Sequence, residues 1–170
     1  VALKGGAMEN RGALQSAGAL SLDAASLDQQ GTLSAKGDTT VAVNGTLRNS
    51  GTLLSNGKLE INAGELVQNG TLSGDSSVTV NTGKLSTGKN SLTTSLGSAD
   101  LNATQQADLN GQINAAGALA VSGQQLTTQA DAQLQSGQDL TLQAGTASLN
   151  GTLASKGALS ITGSHIATQK

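Results

Sequence analysis

A repeat of about 20 residues decides what this chain can fold into. An apolar residue returns at Leu14, Leu33, Leu53, Leu72, Leu92, Ile113, Leu134 and Leu153, at intervals of 19, 20, 19, 20, 21, 21 and 19. Self-similarity of that length belongs to stacked architectures, in which one unit cannot bury its apolar face without its neighbours. An alternating pair keeps step with this column: Val1 with Leu3, Leu20 with Leu22, Val41 with Val43, Leu59 with Ile61, Val78 with Val80, Ala99 with Leu101, Leu119 with Val121, Leu140 with Leu142 and Leu159 with Ile161. Period-two alternation puts both members on one face of a strand and the residue between them on the other. A third column follows at Met8, Leu27, Leu47, Leu66, Leu85, Ala107, Leu126, Ala147 and Ile166. Where it shrinks to Ala107 and Ala147, Leu109 and Leu149 stand two residues on, on the same face of an extended segment, so apolar volume moves rather than disappears.

Turn formers separate the columns. Asn69-Gly70, Asn110-Gly111 and Asn150-Gly151 lie at one side of the unit, with Gly18, Gly37, Gly57, Gly117, Gly137 and Gly157 midway. One unit is therefore expected to hold three short strands and three corners. The spacing of apolar positions does not fit a helical period, and Gly, Ser, Thr and Asn are weak helix formers. The Leu-x-x-Leu-x-Leu-x-x-Asn register of leucine-rich repeats is absent. What remains is an all-β fold, a parallel β-helix (β-solenoid) of about eight coils rising about 4.8 Å each, a rod about 38 Å long. The absence of Phe, Tyr and Trp from 170 residues suits a narrow interior filled by ladders of Leu, Val and Ile. A disordered chain would be expected to carry Pro and dense charge, whereas this one has no Pro and 12% charged residues. Residues 1–170 are expected to form a single repeat segment, and the strand edges at Val1 and Lys170, with no capping sequence beside them, suggest an internal stretch of a longer chain.

The formal net charge is −2, with thinly scattered Lys and Arg, which argues against an electrostatic grip on nucleic acid or anionic lipid. No apolar run approaches the roughly 20 residues a helix needs to cross a bilayer, so a soluble chain is expected. Without Cys there is no thiol chemistry and no cysteine metal site, although the compartment stays open. Residues 90–155 carry four Asp and no Lys or Arg, whereas seven of the nine basic residues precede residue 90. Acidic density of this order reads as ordinary solvation.

No residue is assigned a catalytic, cofactor-binding or metal-binding role. His165, the one histidine, precedes the inward Ile166 and is expected outside, with no second His or Cys to complete a metal shell. None of the acids falls in the Gly-Gly-x-Gly-x-Asp pattern of calcium-binding solenoids. Asp38 and Asp75 occupy related corners about two coils apart, near 9.6 Å by coil rise, a separation that an inverting glycosidase pair tolerates. No aromatic platform, basic cluster or long loop surrounds them, so they are expected to be turn acceptors and the chain is expected not to be an enzyme. Thr32, Thr52, Thr71 and Thr152 share an outward position whose other members are Ala13, Ser91, Gln112 and Gln133, too interrupted for an ice-binding array. Asn49, Asn69, Asn110 and Asn150 are expected to satisfy turn backbone.

The units Gly-Thr-Leu-Ser-Ala-Lys-Gly (31–37), Gly-Thr-Leu-Leu-Ser-Asn-Gly-Lys-Leu-Glu-Ile-Asn-Ala-Gly-Glu-Leu-Val-Gln-Asn (51–69) and Gly-Thr-Leu-Ala-Ser-Lys-Gly-Ala-Leu-Ser-Ile (151–161) resemble filamentous haemagglutinin repeats. The resemblance covers nearly the whole chain. It implies a right-handed β-helical shaft of an exoprotein secreted by the two-partner route in Gram-negative bacteria, a group that includes adhesins and the toxin-delivering sticks of contact-dependent growth inhibition. It also implies a location outside the cell at the bacterial surface, an outer-membrane two-partner-secretion transporter as partner during export, and host or target-cell receptors engaged through other regions. A monomer without cofactors is expected. The pattern departs from the family at 89–110 and 130–150, where spacing stretches and the third column weakens. There the other reading, a direct receptor- or glycan-binding module, would present its loop.

Overall fold

Residues 1–169 are described by the structure, a computed structural model. Long strands Ala2–Asn10, Leu20–Gln29, Thr39–Asn49, Lys58–Gln68, Ser77–Thr87, Ser98–Leu109, Leu119–Thr128 and Leu140–Leu149 stand side by side in one sheet, completed by Leu159–Thr162 and His165–Thr168, which both pair with Leu140–Leu149. Short strands Ala13–Ser16, Thr32–Ala35, Thr52–Ser55, Thr71–Gly74, Leu92–Ser95, Gln112–Ala115, Gln133–Ser136 and Thr152–Ser155 form the second sheet. Pairing is parallel, and in both sheets sequential order is spatial order. The chain is a parallel β-solenoid of about nine turns, each visiting the long sheet and then the short one.

Each unit holds two strands where three were expected, because the second and third apolar columns share one long strand that bends. In Thr39–Asn49 the inward Val41 and Val43 are followed by exposed Asn44 and Gly45 before Leu47 and Asn49 turn in again. The bend takes two residues between Ala24 and Leu27 but three between Val43 and Leu47, and the ladder register shifts there. A bulge of this kind absorbs one residue and kinks the strand while pairing continues on either side. The repeat length can therefore vary without disturbing the columns.

The third column stacks as the sequence suggests, from Met8 on Leu27 through to Ala147 on Ile166. Ala107, Leu109, Ala147 and Leu149 are all buried, so the displaced apolar volume stays inside. Leu33, Leu53, Leu59, Ile61 and Leu66 have no exposure at all, and burying each such side chain contributes about 1.5–3 kcal/mol. Two assignments need correction. Level with Leu20–Leu22 and Leu59–Ile61 stands the pair Thr39 and Val41, while Val43 falls in with Ala24 and Ala63. In the first column Thr93, not Leu92, faces inward level with Leu72 and Ile113. Leu92 then takes the place given to Ser91 in the outward threonine file. The cause is the corner at residues 88–91, which is two residues longer than its counterpart at 69–70.

Candidate functional site

One inward position carries amides. Where the long strand ends, Asn10, Gln29, Asn49 and Gln68 stack on one another, the last three fully buried. A buried amide is tolerated when its hydrogen bonds are made, and carbonyls at or beside the corners and the neighbouring amides supply them for this column, except at Asn49 Oδ1, which has no partner among the described residues. Gln29 Nε2 donates to the Gly31 carbonyl at 2.9 Å and, one coil on, to the Thr52 carbonyl at 3.0 Å. Gln68 Nε2 likewise donates to Gly70 at 3.0 Å and Leu92 at 3.1 Å. Asn10 and Asn49 each donate from Nδ2 to the glutamine above, Gln29 Oε1 at 2.7 Å and Gln68 Oε1 at 2.8 Å. The column then changes to Thr87, Leu109, Thr128 and Leu149.

The corners change with it. Residues 88–91 and 129–132 each span four positions where 30–31, 50–51, 69–70, 110–111 and 150–151 span two. Thr87 Oγ1 donates to the Asn110 carbonyl at 2.8 Å and accepts from Asn110 N at 2.9 Å. Thr128 Oγ1 repeats this with Asn150, at 2.6 and 2.9 Å. Lys89 Nζ and Asp131 Oδ2 stand 3.0 Å apart and so join the two wide corners across the coil between them. Both side chains are mostly exposed, and an ion pair of that kind contributes no more than about 1 kcal/mol. At the narrow corners glycine is required for space: a Cβ on Gly31, Gly51 or Gly70 would overlap the carbonyl oxygen of Gly12, Gly31 or Gly51 beneath it. The wide corners place Ser91 and Ala132 in that file instead, both buried.

The residues singled out from sequence are dispersed. Asp38 Oδ1 accepts from Lys58 N at 2.8 Å, tying its corner to the next coil as a turn acceptor, and Asp139 Oδ1 does the same for Ala158 N at 2.9 Å. Asp75 sits earlier in the equivalent corner, level with Asn56 and Lys36, so the two aspartates do not occupy matching places. His165 is exposed beside Thr146. Among the described residues no group of three His, Asp or Glu gathers within metal-binding range. Asn110 Oδ1 accepts from Gly111 N at 2.9 Å, whereas Asn49 points inward and serves the Thr71 carbonyl at 3.0 Å. An outward ladder escaped the sequence reading: Asn81 Nδ2 donates to Asn62 Oδ1 and Asn102 Nδ2 to Asn81 Oδ1, both at 3.1 Å, and Ser122 Oγ to Asn102 Oδ1 at 2.8 Å. Its signal was present, since each of these residues directly follows an alternating pair.

A family model of the haemagglutinin repeat matches residues 15–96 and 94–163. The chain belongs to the haemagglutinin-repeat family. No curated protein and no solved structure matches it. The two haemagglutinin-repeat stretches meet at residues 94–96, at the end of the short strand that follows the first wide corner. Repeat and fold together indicate a shaft-like segment of a filamentous adhesin-type exoprotein.

Proposed function

We propose that this haemagglutinin-repeat chain is a rigid spacer in an exported surface exoprotein of Gram-negative bacteria, holding an adhesive or toxin-delivering tip away from the producing cell and carrying out no catalysis itself. The observation that supports it is the continuity of pairing: each long strand lies on the next from Ala2–Asn10 to Leu159–Thr162, and each short strand likewise. Every coil offers its edge as a template for the following one. A chain threaded through an outer-membrane two-partner-secretion transporter would fold coil by coil outside the cell, and folding would oppose its return. The absence of Cys suits threading, since no disulfide obstructs the pore.

The test is made in the full exoprotein. Deleting residues 51–69 removes one coil and brings Gly70 onto the place of Gly51, its partner in the glycine file. Export and tip activity should persist. Deleting residues 51–59 sets a corner against a strand and leaves backbone groups unpaired, so surface display should fall. A whole-coil deletion that is exported normally but loses tip activity contradicts the spacer reading. The wide corners at 88–91 and 129–132 favour a second reading, a direct receptor- or glycan-binding module. Replacing both with Asn-Gly separates the two: a spacer keeps its adhesion, a binding module loses it at unchanged export.

A further inference from the structure

We propose that Asn110-Gly111 is a self-modifying site, which closes to a succinimide and reopens as isoaspartate or aspartate because of the wide corner beneath it. The chain holds five Asn-Gly pairs, at Asn44, Asn56, Asn69, Asn110 and Asn150. In local sequence they are chemically alike: glycine has no side chain to keep its own backbone nitrogen from the asparagine side-chain carbonyl. They differ in what holds the glycine N–H. Gly70 N donates to the Asn49 carbonyl at 2.9 Å, and Gly57 N donates to the Gly37 carbonyl at 3.3 Å. Among the described residues Gly111 N has no such bond to the coil below, and it donates instead to Asn110 Oδ1 at 2.9 Å. The longer corner at 88–91 cannot receive a two-residue corner in register, so Gly111 turns to φ +70°. Asn110 itself is pinned, its N–H and its carbonyl both held by Thr87 Oγ1. The reacting pair is thus held together while its nitrogen is free of the ladder, an arrangement that favours ring closure. Gly151, above the other wide corner, also has a positive φ, +75°, but among the described residues its nitrogen makes no hydrogen bond to the Asn150 side chain like the one Gly111 N makes to Asn110 Oδ1.

In the reaction the Gly111 nitrogen loses its proton and attacks Cγ of Asn110. A C–N bond forms, the Cγ–Nδ2 bond breaks, and ammonia leaves with the proton. Water then opens the five-membered ring: attack at the former Asn110 main-chain carbonyl gives isoaspartate, and attack at Cγ gives aspartate. No redox change is involved. Either product places a new carboxylate at position 110, in the coil that the Lys89–Asp131 ion pair spans. Isoaspartate also lengthens the main chain at a corner rather than within a ladder.

The intact chain is aged in mildly alkaline buffer, folded or in urea, and conversion at each Asn-Gly pair is measured by mass spectrometry with electron-transfer fragmentation. In the folded chain Asn110 should convert at least about tenfold faster than Asn69 and Asn56, the factor that one intramolecular hydrogen bond holds back. In urea the rates should converge to within about threefold, since the local sequences match. A folded variant with residues 88–91 shortened to Asn-Gly should slow Asn110 to the rate of Asn69. Equal rates at Asn110 and Asn69 in the folded chain, no conversion at Asn110, a spread that survives urea, or an undiminished rate in the folded short-corner variant would each overturn the proposal.

Discussion

Leu59 and Ile61 are fully buried, while Glu60 between them is exposed. Leu59→Asp or Ile61→Asp places an unpaired carboxylate in a narrow apolar interior, which costs several kcal/mol unless the group stays protonated. The circular-dichroism melt of either variant should collapse, whereas Glu60→Lys should melt as the parent does; three equal melts would contradict the assignment of inside and outside. Thr39 and Thr93 are subtler, because each buries a hydroxyl with no hydrogen-bond partner in a column otherwise built of aliphatic or alanine side chains. Valine has the same shape without the hydroxyl, so Thr93→Val should raise stability by about 1 kcal/mol, read as a higher melting temperature. A lower one would place the Thr93 side chain outside the core. The same two threonines explain where the sequence misleads. The aliphatic columns are legible because Leu, Val and Ile mark the inward face themselves. A buried threonine carries no such mark, and the nearest aliphatic residues, Val43 and Leu92, took the places that Thr39 and Thr93 hold.

Among the elements, corners carry the variation. The narrow corners stack glycine on glycine so closely that a methyl group on Gly51 meets the Gly31 carbonyl, whereas one on Gly12 meets nothing within 4 Å. Gly51→Ala should therefore cost about 1–3 kcal/mol through overpacking, and Gly12→Ala should stay within about 0.5 kcal/mol of the parent. Equal losses in a denaturant titration would show that contact along the glycine file does not limit the corner. The sequence announced stretched spacing at 89–110 and 130–150 but did not locate the extra residues at 88–91 and 129–132, because corner length depends on which neighbouring residue enters the ladder. The buried amide column was harder still. Asn49 and Gln68 look like turn and surface residues until their partners in other coils are known: Gln68 Nε2 reaches Leu92, a sequence separation of 24. Local pattern does not contain that information.

For the whole molecule, a stack of interchangeable coils makes length proportional to coil number. Asp28 and Ser148 hold the same outward, partly exposed position on the second and eighth long strands. Six coil rises separate them, about 29 Å at 4.8 Å per coil. As the chain has no cysteine, Asp28→Cys with Ser148→Cys gives two unique attachment points for spin labels. Pulsed electron-electron resonance on this pair, with and without residues 51–69, measures the claim directly. One narrow distance should move from about 29 to about 24 Å when a single coil is removed. An unchanged distance, or its dissolution into a broad distribution, would contradict a shaft built from coils that stack one upon another and close up over a missing neighbour.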